Sequence, residues 1–253
     1  MKRVYHSNYA CYGVRKMWRE LKLQTIDVGR DQVARLMRSA GLRGATRQRR
    51  VRTTMPAPAA TPAPDLVRRK WSRDAPDVVW VADFTYVLTR QGWVFTSFLQ
   101  DAYSRFILGH TISSSMSTAL VISVVEQAVS VRKRSNPTFM AQGVICHSDH
   151  GSQFTSLAFG QKLIEHGINP SMGRVGSAYD NALMESTIGL YKTELIHPQP
   201  RRVWSSRQEV ETATTAWVRW FNHKRLHSAI AYHSPATFEA AYHETLDLPR
   251  QAA

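Results

Sequence analysis

The chain has 253 residues, of which 43% are hydrophobic and 21% charged, a length that allows one or two domains with a sizeable core. No apolar stretch is long enough to cross a bilayer, and the first residues lack the apolar core of a signal peptide. Its two cysteines, Cys11 and Cys146, form neither a disulfide framework nor a zinc-ligand spacing. We therefore expect a cytoplasmic protein that does not bind membranes.

The net charge of +14 is concentrated at one end of the chain. Residues 1–73 hold 18 of the 33 Lys and Arg residues but only four acidic residues, so they account for the whole excess. A basic segment followed by an electrically balanced one suggests that the first part holds a polyanion and that the second part acts on it. A solvated basic tail is the simpler alternative.

The basic segment shows helical periodicity. Apolar residues recur at helical spacing over 14–21 and again over 33–40, with a short connection at 24–29. This pattern is compatible with a helix-turn-helix, although any small two-helix hairpin would look the same. We predict a DNA-binding helix-turn-helix module over residues 1–52. Its candidate DNA contacts are the arginines of the second helix and of the basic run that follows it: Arg30, Arg35, Arg38, Arg49 and Arg50.

A proline-rich stretch follows this module. Residues 53–70 contain four prolines between positions 56 and 64, together with Ala and Thr. Such a composition predicts an extended, semi-rigid linker without a core of its own. We therefore place the domain boundary here and assign residues 71–253 to a second domain.

The second domain begins with three apolar, β-rich runs, over 78–88, 93–99 and 106–112. Turn signals separate them, and three strands this close together in sequence predict an antiparallel meander. A helix is predicted next, over 117–131, because its apolar residues recur at helical spacing.

Strand and helix patterns alternate after that point. Short strands are predicted over 143–146 and 168–171, with a helix over 157–165 between them. A capping-box pattern at 177–180 opens a further helix that runs to about residue 196. Together these elements predict an α/β layer built on a mixed five-stranded sheet.

Three acidic residues stand out by their local contexts. Asp83 lies in a predicted buried strand, Asp149 just past the end of another, and Glu185 on a helix, with 35 residues between the last two. Three carboxylates at one point repel each other unless a cation lies between them, and hard oxygen ligands suit Mg²⁺ or Mn²⁺. This is the chemistry of two-metal phosphoryl transfer on nucleic acid. A structural role for Asp83, paired with an arginine, is the alternative.

Two further residues share the predicted face of Glu185. Lys192 follows it by seven positions and is nearly superposed on it two turns along, while Asn181 precedes it by four. We predict that both contact DNA close to the metal. A solvated Glu–Lys pair would produce the same spacing.

The motifs that carry these residues resemble those of a known family. They are the N-terminal segments 12–18 and 33–44 and five core motifs: Trp-Val-Ala-Asp-Phe-Thr-Tyr at 80–86, Asp-Ala-Tyr-Ser-Arg at 101–105, His-Ser-Asp-His-Gly-Ser-Gln at 147–153, Asp-Asn-Ala-Leu-Met-Glu-Ser at 180–186 and Phe-Asn-His-Lys-Arg-Leu-His-Ser at 221–228. The chain resembles the DDE transposases of the retroviral-integrase superfamily. More narrowly, it is similar to the second-frame (OrfB) transposases of insertion-sequence family three.

The resemblance implies an RNase H-like integrase core preceded by the small all-α module and followed by a C-terminal helical extension. It implies that Asp83, Asp149 and Glu185 bind two Mg²⁺ ions, with Mn²⁺ as a substitute, and that Lys192 positions a DNA phosphate. The implied reaction is DNA strand cleavage and strand transfer without a covalent protein–DNA intermediate.

Two further predictions concern the other core motifs. Asp101 is interpreted as structural and paired with Arg105. In the C-terminal motif, Lys224 or Arg225 is expected to touch DNA from a helix-and-turn element that packs on the core.

The resemblance also predicts partners. They are double-stranded DNA at the element ends and at the target, a first-frame (OrfA) partner or frameshift fusion, and further copies of this chain assembled on DNA at the bacterial nucleoid. We expect the chain to start late relative to the family. A nuclease of RNase H type without strand transfer, a truncated DNA-binding remnant and a transcriptional regulator remain the alternatives.

Overall fold

A computed structural model of the protein describes residues 1–46, 63–68, 71–149, 153–173, 181–198 and 202–247. Three predictions fall outside these ranges: the DNA contacts of Arg49 and Arg50, the capping box at 177–180, and most of the linker.

The described elements form a small helical part followed by a sheet with helices on both faces. In chain order they are α1 (Lys2–Ser7), α2 (Val14–Leu23), α3 (Arg30–Ser39), β1 (Val79–Thr89), β2 (Gly92–Asp101), β3 (Ile107–Ser113), α4 (Thr118–Ser135), β4 (Ile145–Ser148), α5 (Leu157–Glu165), β5 (Asn169–Met172), α6 (Ala182–Tyr191), a π-helical turn (Lys192–Ile196), α7 (Arg207–His223), a 3₁₀ turn (Ser228–Ile230) and α8 (Pro235–Asp247). Within the described ranges, no helix is long and apolar enough to cross a membrane.

As predicted, the five strands form one mixed sheet; their order is β3-β2-β1-β4-β5. Tight turns join β1 to β2 and β2 to β3, so these pairs are antiparallel. The β1–β4 and β4–β5 pairs are parallel and are reached through crossovers that contain α4 and α5. Strand β1 therefore lies at the centre of the sheet, between an antiparallel and a parallel neighbour.

The central strand is much longer than its parallel neighbour. Strand β1 has 11 residues and β4 has four, and the two pair only between 79–81 and 145–147. The second half of β1 therefore extends past the end of β4, and its edge on that side is open to other elements.

Helices cover the two faces of the sheet in separate cores. One core contains α4 and α5, and α4 approaches β3 so closely that a Cβ added at Gly109 would lie 2.4 Å from the Val124 carbonyl oxygen. Only glycine fits at that position. The other core contains α6 and α7, with buried Tyr191 and Trp217 packed edge-on against Phe98 of β2.

The N-terminal helices share this second core. Tyr9 packs against Trp220 of α7 with ring centroids 4.7 Å apart, and the Trp220 indole N–H donates to Asn8 Oδ1 at 3.1 Å. The Leu226 backbone N–H donates to the Tyr12 hydroxyl at 2.9 Å. The two predicted helices of the basic segment form, and α1, which no periodic pattern indicated, joins them to the core.

The segment just before residue 71 lies along the far edge of the sheet. The Met172 backbone N–H donates to Pro64 O at 3.4 Å, and the Leu66 N–H donates to Ser171 Oγ at 3.0 Å. Val67 is buried. The described end of the predicted linker therefore contacts β5.

Acid is expected to destabilise this fold through His227. The ring is buried, and burial together with the charges of Arg225 and Lys16 lowers its pKa well below the ordinary value of 6.5. The unfolded chain therefore binds a proton that the folded chain does not, once the pH falls below about 6.5. Below this pH, we expect the free energy of unfolding to fall by up to about 1.4 kcal/mol for each pH unit because of His227. Urea titrations at several pH values measure the slope.

The matched variant is His227→Asn, which keeps a polar side chain but does not titrate. Its stability is expected to fall less steeply between pH 6.5 and 5 than that of the wild type. Parallel slopes for the two proteins would show that His227 titrates normally in the folded state.

Candidate active site at the end of the central strands

Two of the three acidic residues follow the end of the parallel strand pair. Val81 of β1 pairs with His147 of β4; Asp83 lies two residues further along β1, and Asp149 lies two residues after His147, just past the end of β4. Neighbouring strands are about 4.8 Å apart, and positions at the same register point to the same face. Both aspartates are half-buried, and the Asp83 Oδ1 also accepts from the Phe84 N–H at 2.8 Å.

The third acidic residue, Glu185, lies on α6, and the start of this helix is bonded to β1. The Asn181 side-chain Nδ2 donates to Ala82 O at 3.2 Å, which binds the helix start to β1 at the residue before Asp83. The Glu185 N–H donates to Asn181 O at 3.0 Å, so Glu185 lies one turn further on the same side of the helix. The predicted DNA contact of Asn181 is therefore corrected: the residue is buried and holds α6 against β1.

In the structure, the three carboxylates do not form a closed ligand set. Over the described ranges, no three His, Cys, Asp or Glu side chains lie together as a group that could hold a metal ion. The donors themselves are hard carboxylate oxygens, which suit Mg²⁺, Mn²⁺ or Ca²⁺ better than metals that prefer nitrogen or sulfur ligands.

Lys192 lies against the open edge of β1 at Tyr86, which is three residues after Asp83 along the strand. Its Nζ donates to Tyr86 O and stands 4.8 Å from the centroid of the Tyr86 ring. The predicted α-helix changes to a π-helical turn at this residue. The sequence did not indicate this change, because the apolar spacing continues through it.

Arg225 is not at the protein surface, and its predicted contact with DNA is corrected. Its side chain is 3% exposed and forms an ion pair with Glu194, whose side chain is 5% exposed, with Nη2 and Oε1 separated by 2.6 Å. The guanidinium is therefore enclosed and already bonded to a carboxylate. The neighbouring Lys224, by contrast, is exposed.

Asp101 is structural, as predicted, but its partners differ from the prediction. It is fully buried and accepts from the Asp77 N–H at 2.8 Å, the Ser104 N–H at 2.7 Å and the Ser104 hydroxyl at 2.9 Å. Two nitrogens of Arg105, Nε and Nη1, are buried without a hydrogen-bond partner among the described residues. Asp101 therefore organises the β2–β3 turn through backbone N–H groups, not through a direct ion pair with Arg105.

The three described arginines of α3 are exposed. Arg30 opens the helix and forms an ion pair with Asp31 at 3.5 Å, while Arg35 and Arg38 follow along it. The apolar face of the same helix is buried through Val33 and Met37. The basic side of α3 therefore faces solvent.

Comparison with known proteins identifies the family. Two models described as integrase core domains match residues 73–178 and 166–235, and an HTH-like domain model matches residues 1–50. The transposase for insertion sequence element IS629 of Shigella sonnei is 45% identical over 246 residues, covering 97% of this chain and 79% of the relative. The chain belongs to the insertion-sequence transposases of the family-three type. It is thus a polynucleotidyl transferase with an integrase core.

Other relatives of this transposase span most of its length. The chain encoded by insertion sequence element IS986/IS6110 of Mycobacterium tuberculosis is 45% identical over 249 residues, covering 98% of this chain and 88% of the relative. The transposase of element IS904 from Lactococcus lactis is 31% identical over 240 residues, covering 94% and 91%.

Solved structures agree on the fold of the transposase. The intasome of simian T-cell lymphotropic virus, in complex with a PP2A regulatory subunit, aligns over 99% of this chain and 76% of its own with a TM-score of 0.54 and 14% identity. The HTLV-2 integrase catalytic core in complex with magnesium aligns over 66% and 98% with a TM-score of 0.50 and 16% identity. The predicted RNase H-like integrase core is confirmed.

Proposed function

We propose that the transposase cleaves and joins DNA strands with a metal centre held by Asp83, Asp149 and Glu185. One observation supports this assignment: Asp83 and Asp149 both follow the β1–β4 pairing, and the hydrogen bond of Asn181 holds the start of α6, which carries Glu185, against β1. Three carboxylates that converge on one point repel one another unless a cation lies between them, which favours a metal site over a structural role.

The metal is proposed to be Mg²⁺, as two ions, with Mn²⁺ as a substitute. The donor set fits, because it offers carboxylate oxygens and leaves positions for water and phosphate oxygens. The HTLV-2 integrase core, which shares the fold, was solved in complex with magnesium. When bound, such ions polarise a phosphodiester and activate water or a DNA 3′-hydroxyl as the nucleophile.

The roles of the protein's own groups follow from their positions. The three carboxylates are proposed to supply the negative charge that holds the metal, and Asn181 to keep the start of α6, and with it Glu185, against β1. Lys192 is proposed to exchange its contact with Tyr86 O for a DNA phosphate, since a charged acceptor binds an ammonium group more strongly than a carbonyl does. In-line attack requires that the phosphate be held in this way beside the carboxylates.

Double-stranded DNA is proposed to bind along the exposed arginines of α3, which lie in the part that matches the HTH-like domain model. Exposed Lys224 is a second candidate phosphate contact. We propose that the chain acts on element ends and target DNA at the bacterial nucleoid, assembled with further copies; a chain of a viral intasome shares its fold. A first-frame partner or fusion is proposed to assist in locating the element ends.

Changing Arg35 and Arg38 together to Ala is expected to weaken duplex binding and its dependence on salt. Each phosphate contact contributes about −0.9 to the slope of log K against log salt, so two lost contacts reduce the slope by about 2. Fluorescence anisotropy with a labelled duplex at several NaCl concentrations measures both quantities.

The control is the double variant Lys133→Ala and Arg134→Ala, which removes the same charge from exposed positions at the end of α4. If the two double variants lowered the slope equally, net charge and not a surface on α3 would explain the binding.

Strand cleavage and joining on a labelled duplex that carries the element's end test the proposed function. Wild type is compared with Glu185→Gln, in Mg²⁺ and in EDTA. Joined products that require metal and vanish in the variant are expected. Cleavage without joining would instead indicate a nuclease, and metal-independent products, or products that persist in the variant, would overturn the proposed site.

A further inference from the structure

The helix that carries Glu185 changes form at its end. After Tyr191 the backbone continues as a π-helical turn over Lys192–Ile196, closed by a hydrogen bond from the His197 N–H to Lys192 O at 2.7 Å. Turns of this kind are rare, and they occur frequently at functional sites. Here the first residue of the turn contacts β1 at Tyr86, whereas Glu194 is buried. One turn therefore has contacts both at the active site and in the core behind it.

The buried contact is an ion pair with several hydrogen bonds. The Glu194 carboxylate accepts from Arg225 Nε at 3.0 and 3.1 Å and from Nη2 at 2.6 Å. The remaining nitrogen, Nη1, donates to Leu226 O at 3.3 Å. A buried ion pair gains little net stability, because the cost of desolvating both charges offsets their attraction. Stability alone is therefore a weak explanation for this one.

The same segment receives the N-terminal helices. Tyr12 accepts the hydrogen bond from the Leu226 N–H, one residue after Arg225, and Arg225 lies 5.9 Å from the Trp220 ring against which Tyr9 packs. A change in the seating of α1 and α2, meaning how these helices pack on α7 and the segment after it, therefore acts on the backbone that holds Arg225.

The charges across this contact are linked. Burial and the charge of Arg225 lower the pKa of Lys16, on α2, to about 8. Burial and the charge of Glu194 raise the pKa of the Cys11 thiol to about 12. Glu194, next to α6, therefore supplies the anion that balances Arg225, just after α7, and Lys16 of the N-terminal helices.

We infer that the Glu194–Arg225 pair is a positioning device that couples the seating of the N-terminal DNA-binding helices to the end of α6. The inference rests on the proposed function insofar as Glu185 and Lys192 act on DNA. When α1 and α2 are seated on α7, Arg225 holds Glu194 and the π-helical turn, which keeps Lys192 at the edge of β1. Neither residue of the pair touches DNA in this role.

The first test is Glu194→Gln, which preserves shape and removes the charge. Single-turnover cleavage is expected to be about tenfold slower at saturating duplex, while the duplex concentration for half-maximal rate changes less than about twofold. The matched control is Glu209→Gln, because Glu209 forms a 2.7 Å ion pair with Arg202 that is partly exposed. The control is expected to cleave at the wild-type rate, and an equal loss in both variants would overturn the inference.

A double variant separates positioning from stability. Changing Glu194 and Arg225 together to Met removes both charges, and replacing a buried pair by apolar residues tends to restore stability. Positioning predicts that cleavage stays slow when the melting temperature recovers. If the rate recovers along with the melting temperature, the pair is only structural.

A measurement without DNA or catalysis completes the test. Tyr12→Phe alters only the N-terminal side of the contact, and hydrogen exchange of a peptide from the range 182–198 is followed by mass spectrometry. Loss of one hydrogen bond is expected to speed exchange there by about fivefold. Unchanged exchange would overturn the coupling. Because this readout needs no cleavage, it remains decisive if Glu194→Gln does not fold or if the proposed function fails.

Discussion

Asp83→Asn is expected to reduce metal-dependent strand cleavage by about 10³-fold or more while leaving duplex binding in place. Metal-bound charge stabilisation is worth several kcal/mol in the transition state, and each 1.36 kcal/mol is a factor of ten in rate. Asn keeps the shape of Asp and its acceptor Oδ1, to which the Phe84 N–H donates at 2.8 Å. What it removes is the negative charge that the metal needs.

Two measurements distinguish this effect from misfolding. The melting temperature of Asp83→Asn is expected to equal or exceed that of the wild type, because one of the mutually repelling carboxylates is gone. Asp74→Asn is the control, since Asp74 is exposed and lies ahead of β1. Cleavage by Asp83→Asn within tenfold of the wild-type rate would remove Asp83 from the metal site.

The sheet could be predicted from local patterns because its strands are strongly marked. The apolar run at 78–88 corresponds to β1 at Val79–Thr89, and the helix predicted at 157–165 has those bounds in the structure. Asp83 and Asp149 both follow the parallel β1–β4 pairing, and a resemblance implies this pairing whereas a single strand pattern does not.

Long-range pairing of charges could not be predicted. A Lys-Arg sequence after a helix predicts a basic surface. Arg225 is nevertheless buried, because it pairs with Glu194. That partner lies 31 residues earlier in the chain, on a π-helical turn that the sequence did not indicate. In a long-range ion pair of this kind, neither residue carries a local mark of burial. Lys224, the residue before Arg225, is exposed, so local composition does not distinguish the buried Arg225 from its exposed neighbour.

The N-terminal helices illustrate a related limit. Periodicity located α2 and α3, but the charge distribution suggested a basic module set apart from the core. In the structure, Tyr12 is fully buried and bonds to the segment after α7. Apolar surface on short helices predicts that they pack, but it does not predict against which element.

Asp101→Ala is expected to lower the free energy of unfolding by about 3 kcal/mol at neutral pH. The carboxylate is fully buried and accepts three hydrogen bonds, two of them from the backbone N–H groups of Asp77 and Ser104. Without Asp101 these N–H groups lose their acceptor, and each unsatisfied buried group costs about 1–3 kcal/mol. The cost of desolvating the carboxylate offsets part of the loss. Urea titration of both proteins measures the difference.

The pH dependence of that difference provides a further test. Burial raises the pKa of Asp101 to about 6, so the folded chain holds a proton there that the unfolded chain releases between about pH 4 and pH 6. The stability from this proton is present at low pH and is lost as the pH rises through 6. The deficit of Asp101→Ala is therefore expected to be larger at pH 5 than at pH 8.

Ser104→Ala, which removes one hydroxyl donor and leaves the carboxylate, is the control and is expected to cost about 1 kcal/mol. A deficit below 1 kcal/mol for Asp101→Ala would show that the β2–β3 turn is held by contacts other than this carboxylate, and a deficit that grows with pH would show that the pKa of Asp101 is not raised in the folded state.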